Sequence, residues 1–79
     1  MRYFYITADE LYNKCDLLSE PLDCEPEDVI VVREDACLIH DYTNKLMEGW
    51  PYPTPSGFLG FFDSVWEQLP AEEQHESAL

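Results

Sequence analysis

Four consecutive branched apolar residues, Val29, Ile30, Val31 and Val32, lie inside the acidic stretch of residues 20–35, EPLDCEPEDVIVVRED, and constrain this chain more than any other feature. Their side chains are stiff at χ1 and suit a pleated strand better than a helix, so residues 29–33 are predicted as a short buried strand. Glu20, Asp23, Glu25, Glu27, Asp28, Glu34 and Asp35 place carboxylates on both sides of it. A strand framed by negative charge is the expected centre of the fold.

Residues 2–6, RYFYI, read as a second strand, with Tyr3 and Tyr5 on one side and Phe4 and Ile6 on the other. Thr7-Ala8-Asp9-Glu10 has capping-box spacing and predicts a helix over residues 8–19, with Leu11, Cys15 and Leu18 as its apolar stripe and Pro21 beyond its end. With that helix between them, the two strands could pair in parallel or antiparallel. A second helix is expected over residues 35–48. Glu34 and Asp35 would sit at its positive end, and Ile39, Tyr42, Leu46 and Trp50 follow at spacings of three and four. The WPYPTP run of residues 50–55 is a stiff connector. Ser56 reads as the N-cap of a third helix over residues 57–69, in which Phe58, Leu59, Phe61, Phe62, Val65, Trp66 and Leu69 exceed what one face needs; some should close the core or form an interface. The expectation is one α+β domain over residues 1–70, with two short strands and three helices, followed by a disordered acidic tail over residues 71–79.

No apolar run approaches the roughly 20 residues of a spanning helix, and residues 1–3 do not open a signal peptide, which predicts a cytoplasmic protein. Cys15, Cys24 and Cys37 are odd in number and fit reduced thiols better than a disulfide framework. With His40 they are the one set that could bind a metal, but no two ligands stand close together as structural zinc requires. The same spacing would put Cys37 and His40 on one face of a helix, yet no oxyanion-forming motif accompanies a Cys37–His40 or His40–Asp41 pair. Calcium-loop spacing is missing too. The chain is therefore expected to be non-enzymatic, with no metal and no cofactor.

Charge decides the functional class. Seventeen Asp and Glu against four Lys and Arg give a net charge of −13, while 2 Trp, 5 Tyr and 4 Phe supply the aromatic content that disordered acidic segments lack. Arg2, Lys14, Arg33 and Lys45 are too scattered to hold phosphates, which excludes nucleic acid as a direct ligand. A solvated surface is the ordinary meaning of an acidic run. Here the acids cluster beside predicted elements, with Tyr12, Tyr42, Trp50 and Tyr52 available as anchors. The expected partner of this monomer is a positively charged nucleic-acid-binding host protein, met by the seven carboxylates of residues 20–35 together with Tyr12 and Tyr42. Crowding of like charge also predicts that carboxylates between Asp23 and Asp35 titrate above their ordinary range.

In size, acidity and lack of motifs the whole chain resembles phage-encoded DNA-mimic inhibitors, among them acidic anti-CRISPR and anti-restriction proteins. That resemblance is compositional and implies an anti-CRISPR protein occupying a DNA-binding surface of a Cas effector, for instance its PAM-recognition surface. A second resemblance is local: Pro55-Ser56-Gly57 opening a helix that contains Trp66 is similar to the last helix of bacteriocin nuclease immunity proteins. It implies an immunity protein or antitoxin neutralising a basic nuclease or toxin, although the RYFYI strand departs from the all-helical fold of that family. A third possibility is an adaptor subunit that docks through its third helix.

Overall fold

In the computed structural model, residues 1–15, 18, 22–47 and 57–76 are described. The branched run forms β2 (Val29–Arg33), the middle strand of a sheet whose other members are β1 (Arg2–Thr7), β3 (Leu38–His40), β4 (Leu46–Met47) and β5 (His75–Glu76). Among the described residues the strand order is β4-β3-β2-β1-β5 and every pairing is antiparallel. Two helices, α1 (Ala8–Lys14) and α2 (Phe58–Gln68), and a 3₁₀ turn at Ala71–Glu73 complete the described fold. None of the described helices is long and apolar enough to cross a membrane.

The pairing of β1 with β2 is antiparallel because the connection between them returns to the end of the sheet that it left. The Ala8 N–H donates to the Asp28 carbonyl at 2.8 Å and the Asp9 N–H to the Pro26 carbonyl at 3.0 Å. Thr7 caps α1, its hydroxyl accepting the Glu10 N–H at 3.2 Å. The helix stops at Lys14, short of the predicted residue 19, because Cys15 is already extended while its N–H still reaches the Leu11 carbonyl.

One face of the sheet carries the core. Phe4 faces Val32 and Ile6 faces Ile30 across the β1–β2 ladder; Leu38 of β3 continues the row, and all five are buried. Leu11, Cys15 and Leu18, with Phe58 and Phe62 of α2, are buried in one cluster with this layer. The Phe62 ring lies 5.0 Å from Phe4 and 5.9 Å from Trp66, in the offset and tilted geometries that aromatic quadrupoles favour. Phe61, Val65, Trp66 and Leu69 pack against the same cluster, which leaves Leu59, 56% exposed, as the large apolar residue that α2 gives to solvent. The apolar excess of this helix is therefore consumed by the core. Arg2 closes the edge of that core: its guanidinium lies 5.1 Å over the Phe62 ring and 5.3 Å over Trp66, while Nε donates to Glu34 at 2.8 Å and Nη2 to Asp63 at 2.9 Å.

The expectation of two strands and three helices is overturned, within an α+β architecture that stands. The described part of the expected second helix, residues 35–47, is not helical: it forms a turn and the β3–β4 hairpin. Glu34 and Asp35 belong to a tight turn in which Asp35 Oδ1 accepts the Cys37 N–H at 3.2 Å, Ala36 adopts φ 67°, and the Arg33 N–H reaches the Cys37 carbonyl at 3.0 Å. A short carboxylate bonded to its own backbone favours such a turn over a helix start. Asp41, Tyr42 and Thr43 turn the chain again, with Asn44 at φ 55°, and His40 and Lys45 close the hairpin. The tail also departs from expectation, since residues 71–76 fold back and Tyr3 pairs with His75. Residues 48–56, which hold the expected connector and the expected N-cap Ser56, lie outside the described residues; Gly57 at φ 89° occupies the α2 cap position.

Candidate acidic protein-binding site

Three strand ends meet on one side of the sheet: β1 finishes at Thr7, β2 starts at Val29 and β3 finishes at His40. Three backbone hydrogen bonds hold their flanking segments together, those of Ala8 and Asp9 to the 26–28 loop and one from the Asp41 N–H to the Val29 carbonyl at 3.0 Å. This brings Asp9 and Glu10 of α1, Asp23, Glu25 and Glu27 of the loop, and Asp41 of the hairpin turn to one end. All six side chains are exposed, and none makes an ion pair with a described residue. Tyr42, 89% exposed, stands next to Asp41; Tyr12, 37% exposed, lies on α1.

The remaining acids of the expected band do different work. Asp28 Oδ2 accepts from His40 Nε2 at 3.0 Å and from the Glu25 N–H at 3.2 Å. His40 Nδ1 takes the Thr43 N–H at 3.2 Å, so both ring nitrogens are occupied and the proton belongs on Nε2. The bond to His40, helped by the Glu25 N–H, holds the Asp28 carboxyl below the usual carboxylate range despite an opposing effect of burial. Glu34 and Asp35 sit at the far end of β2, roughly 20 Å away at about 3.4 Å per strand residue. Glu34 bonds Arg2, which lowers its pKa; Asp35 pairs with Arg33 at 2.7 Å. For Asp28 and Glu34 the expectation of raised pKa values is thus reversed, because specific partners outweigh crowding. Glu20 lies outside the described residues.

The thiol–imidazole pair loses its geometry. On a strand, residues three apart point to opposite faces and are about 10 Å apart, so Cys37 and His40 do not face each other. Among the described residues no group of three His, Cys, Asp or Glu could hold a metal. Burial pushes the Cys24 thiol pKa up, with Asp28, Asp23 and Glu25 adding to it, and burial likewise raises that of Cys37.

A feature that sequence reasoning missed is the second face of the sheet. Register places Leu46, Ile39, Val31 and Tyr5 in one row across β4, β3, β2 and β1. Tyr3, stacked on His75 at 5.2 Å, and Val29 flank this row. Alternation in RYFYI carries the readable signal for it, whereas Ile39 and Leu46 also fit a helical stripe. Comparison with protein-family models, curated proteins and solved structures finds no match for this chain.

Proposed function

We propose that this protein is a non-enzymatic inhibitor that occupies the nucleic-acid-binding surface of a positively charged host protein, with a Cas effector in the host cytoplasm as the specific target. The observation that carries this reading is the convergence of Asp9, Glu10, Glu25, Glu27 and Asp41, with Asp23 beside them, at one end of the sheet without cationic partners among the described residues. Three neighbouring strand ends span on the order of 10 Å at about 4.8 Å per spacing, and a duplex presents roughly six phosphate charges over that length of axis. Six carboxylates gathered at that end therefore offer a Lys- and Arg-lined groove a number of charges comparable to such a stretch of duplex. The chemistry is occupancy without turnover. The five-stranded sheet departs from the all-helical fold that the resemblance to bacteriocin nuclease immunity proteins implies, so an immunity protein or antitoxin of another fold, neutralising a basic nuclease or toxin, is the alternative reading; the adaptor reading loses its helix to the core.

The test is competition for a PAM-containing duplex bound to a Cas effector. The wild-type chain should displace the DNA, less effectively as salt rises from about 50 to 200 mM, and should not bind the DNA itself. Reversing Glu25, Glu27 and Asp41 to Lys should cost several kcal/mol of affinity, on the order of that measured for close interfacial charge pairs. Asp28 is left intact because it holds His40 and the loop backbone. Displacement that survives the triple reversal refutes charge mimicry by this end.

A further inference from the structure

The row Tyr5, Val31, Ile39 and Leu46 is an apolar strip on the side of the sheet opposite the core; Leu46 is 62% exposed and Tyr5 44%. Four strands at about 4.8 Å spacing make it roughly 14 Å long. A helix rises 1.5 Å per residue, so about ten residues lying across the strands would cover it, with anchors at i, i+3 or i+4, and i+7. The charges beside the strip are unequal. At one end Arg33, neutralised by Asp35, shares the face with Tyr3; at the other, Val29 is bonded through its carbonyl to Asp41, where the acidic end begins. A ligand on this face would meet apolar surface below it and, past Val29 at one flank, Asp41 and the acidic end, with Lys45 of the same turn as the cation there.

We infer that the open sheet face docks an amphipathic helix of the partner protein, its apolar stripe on Tyr5, Val31, Ile39 and Leu46 and its Lys or Arg residues directed along one flank to Asp41 and the acidic end. The inference rests on the charge-based reading above and adds the element of the partner that is recognised: a basic helix. A second copy of this chain fits poorly, because stacking two such faces would bring together two molecules each carrying −13.

The probes are two synthetic 14-residue peptides of equal Leu and Lys content, one patterned with an apolar stripe and a one-sided basic flank, the other scrambled. Each is titrated into the full chain and followed by backbone amide shifts and calorimetry. The patterned peptide should bind at least about tenfold tighter than the scrambled one, with shifts centred on β1, β2 and β3 and on Asp41. Ile39→Ser with Leu46→Ser should remove that advantage. If the double variant melts early, Leu46→Ser alone, at a mostly exposed site, should reduce the advantage while the wild-type shift map stands. Glu25→Lys with Glu27→Lys should weaken both peptides alike. Equal affinity of the two peptides, or shifts confined to α2, overturns helix docking yet leaves charge mimicry intact. Salt-independent binding, or no effect of the reversals, counts against charge mimicry itself, and a sedimenting dimer of the free chain makes the second copy the occupant instead.

Discussion

Replacing Phe62 by Ala separates a core helix from an interface helix. Phe62 is fully buried, its ring 5.0 Å from Phe4, 6.0 Å from Phe58 and 5.9 Å from Trp66, with the Arg2 guanidinium 5.1 Å above it. Truncating a buried Phe costs about 3–5 kcal/mol through lost burial and the cavity left behind. The aromatic pairs, about 0.5–1.5 kcal/mol each beyond their area, place this site in the upper half of that range. A domain of this size has a total stability of roughly 4–12 kcal/mol at about 0.05–0.15 kcal/mol per residue, so Phe62→Ala should remove a third or more of it. At about 4–8 °C per kcal/mol, the melting temperature should fall by on the order of 20 °C or more. Leu59→Ala, one turn earlier on the exposed side, should change stability by no more than about 0.5 kcal/mol. Urea denaturation followed by circular dichroism measures both variants. Comparable losses would mean that α2 does not present Phe62 inward and Leu59 outward, and the assignment of its apolar excess to the core would fail.

Three further outcomes are expected. Asp28 and Glu34 have folded-state pKa values below their unfolded ones, so the stability they contribute is fully present above about pH 5 and is lost as pH falls through the carboxylate range toward 3; urea midpoints should drop over that window, and Asp28→Asn with Glu34→Gln should flatten the drop. Ala36, at φ 67°, bears the left-handed strain of a β-carbon, so Ala36→Gly should raise stability by roughly 0.5–1 kcal/mol in the same assay; a loss would show that the β2–β3 turn is relaxed with Ala. The raised pKa of Cys24 should slow its alkylation by iodoacetamide at pH 8 relative to a free thiol, and Glu25→Gln should speed it, as read by mass spectrometry of the labelled peptide.

What could be read from the residues alone follows the range of the interactions involved. β1, β2, the Thr7 cap and α2 are local features, and branched or aromatic runs and a hydroxyl three residues before an acidic side chain announce them. The β3–β4 hairpin is different, because Leu38, Ile39, Leu46 and Met47 fit a helical stripe and a hairpin equally well. The free edge of β2 decides between them by offering Ile30, Val31 and Val32 as a ladder to residues 38–40. Asp41, Thr43 and Asn44, all turn formers, were the overlooked local clue. The acidic end was half legible: Glu25 and Glu27 stood out in the sequence, whereas Asp9, Glu10 and Asp41 join them only through backbone bonds between segments that are distant along the chain. Glu34 and Asp35, close to those acids in sequence, are carried to the far end by a strand.

The pairing of β5 with β1 also has a bearing on the order of events during synthesis. Tyr3 finds His75 only after about seventy further residues have emerged, which at roughly 5–20 residues per second leaves the Arg2–Tyr3 part of that β1 edge bare for several seconds or more. An aromatic strand with unpaired N–H and C=O groups is a template for a neighbouring nascent chain. At neutral pH, however, each such chain already carries Asp9, Glu10, Glu25 and Glu27 before β5 exists. Mutual repulsion can thus keep ribosome-bound copies apart until Arg2 and Tyr3 are paired, so high salt or acid pH should favour aggregation during translation more than after folding.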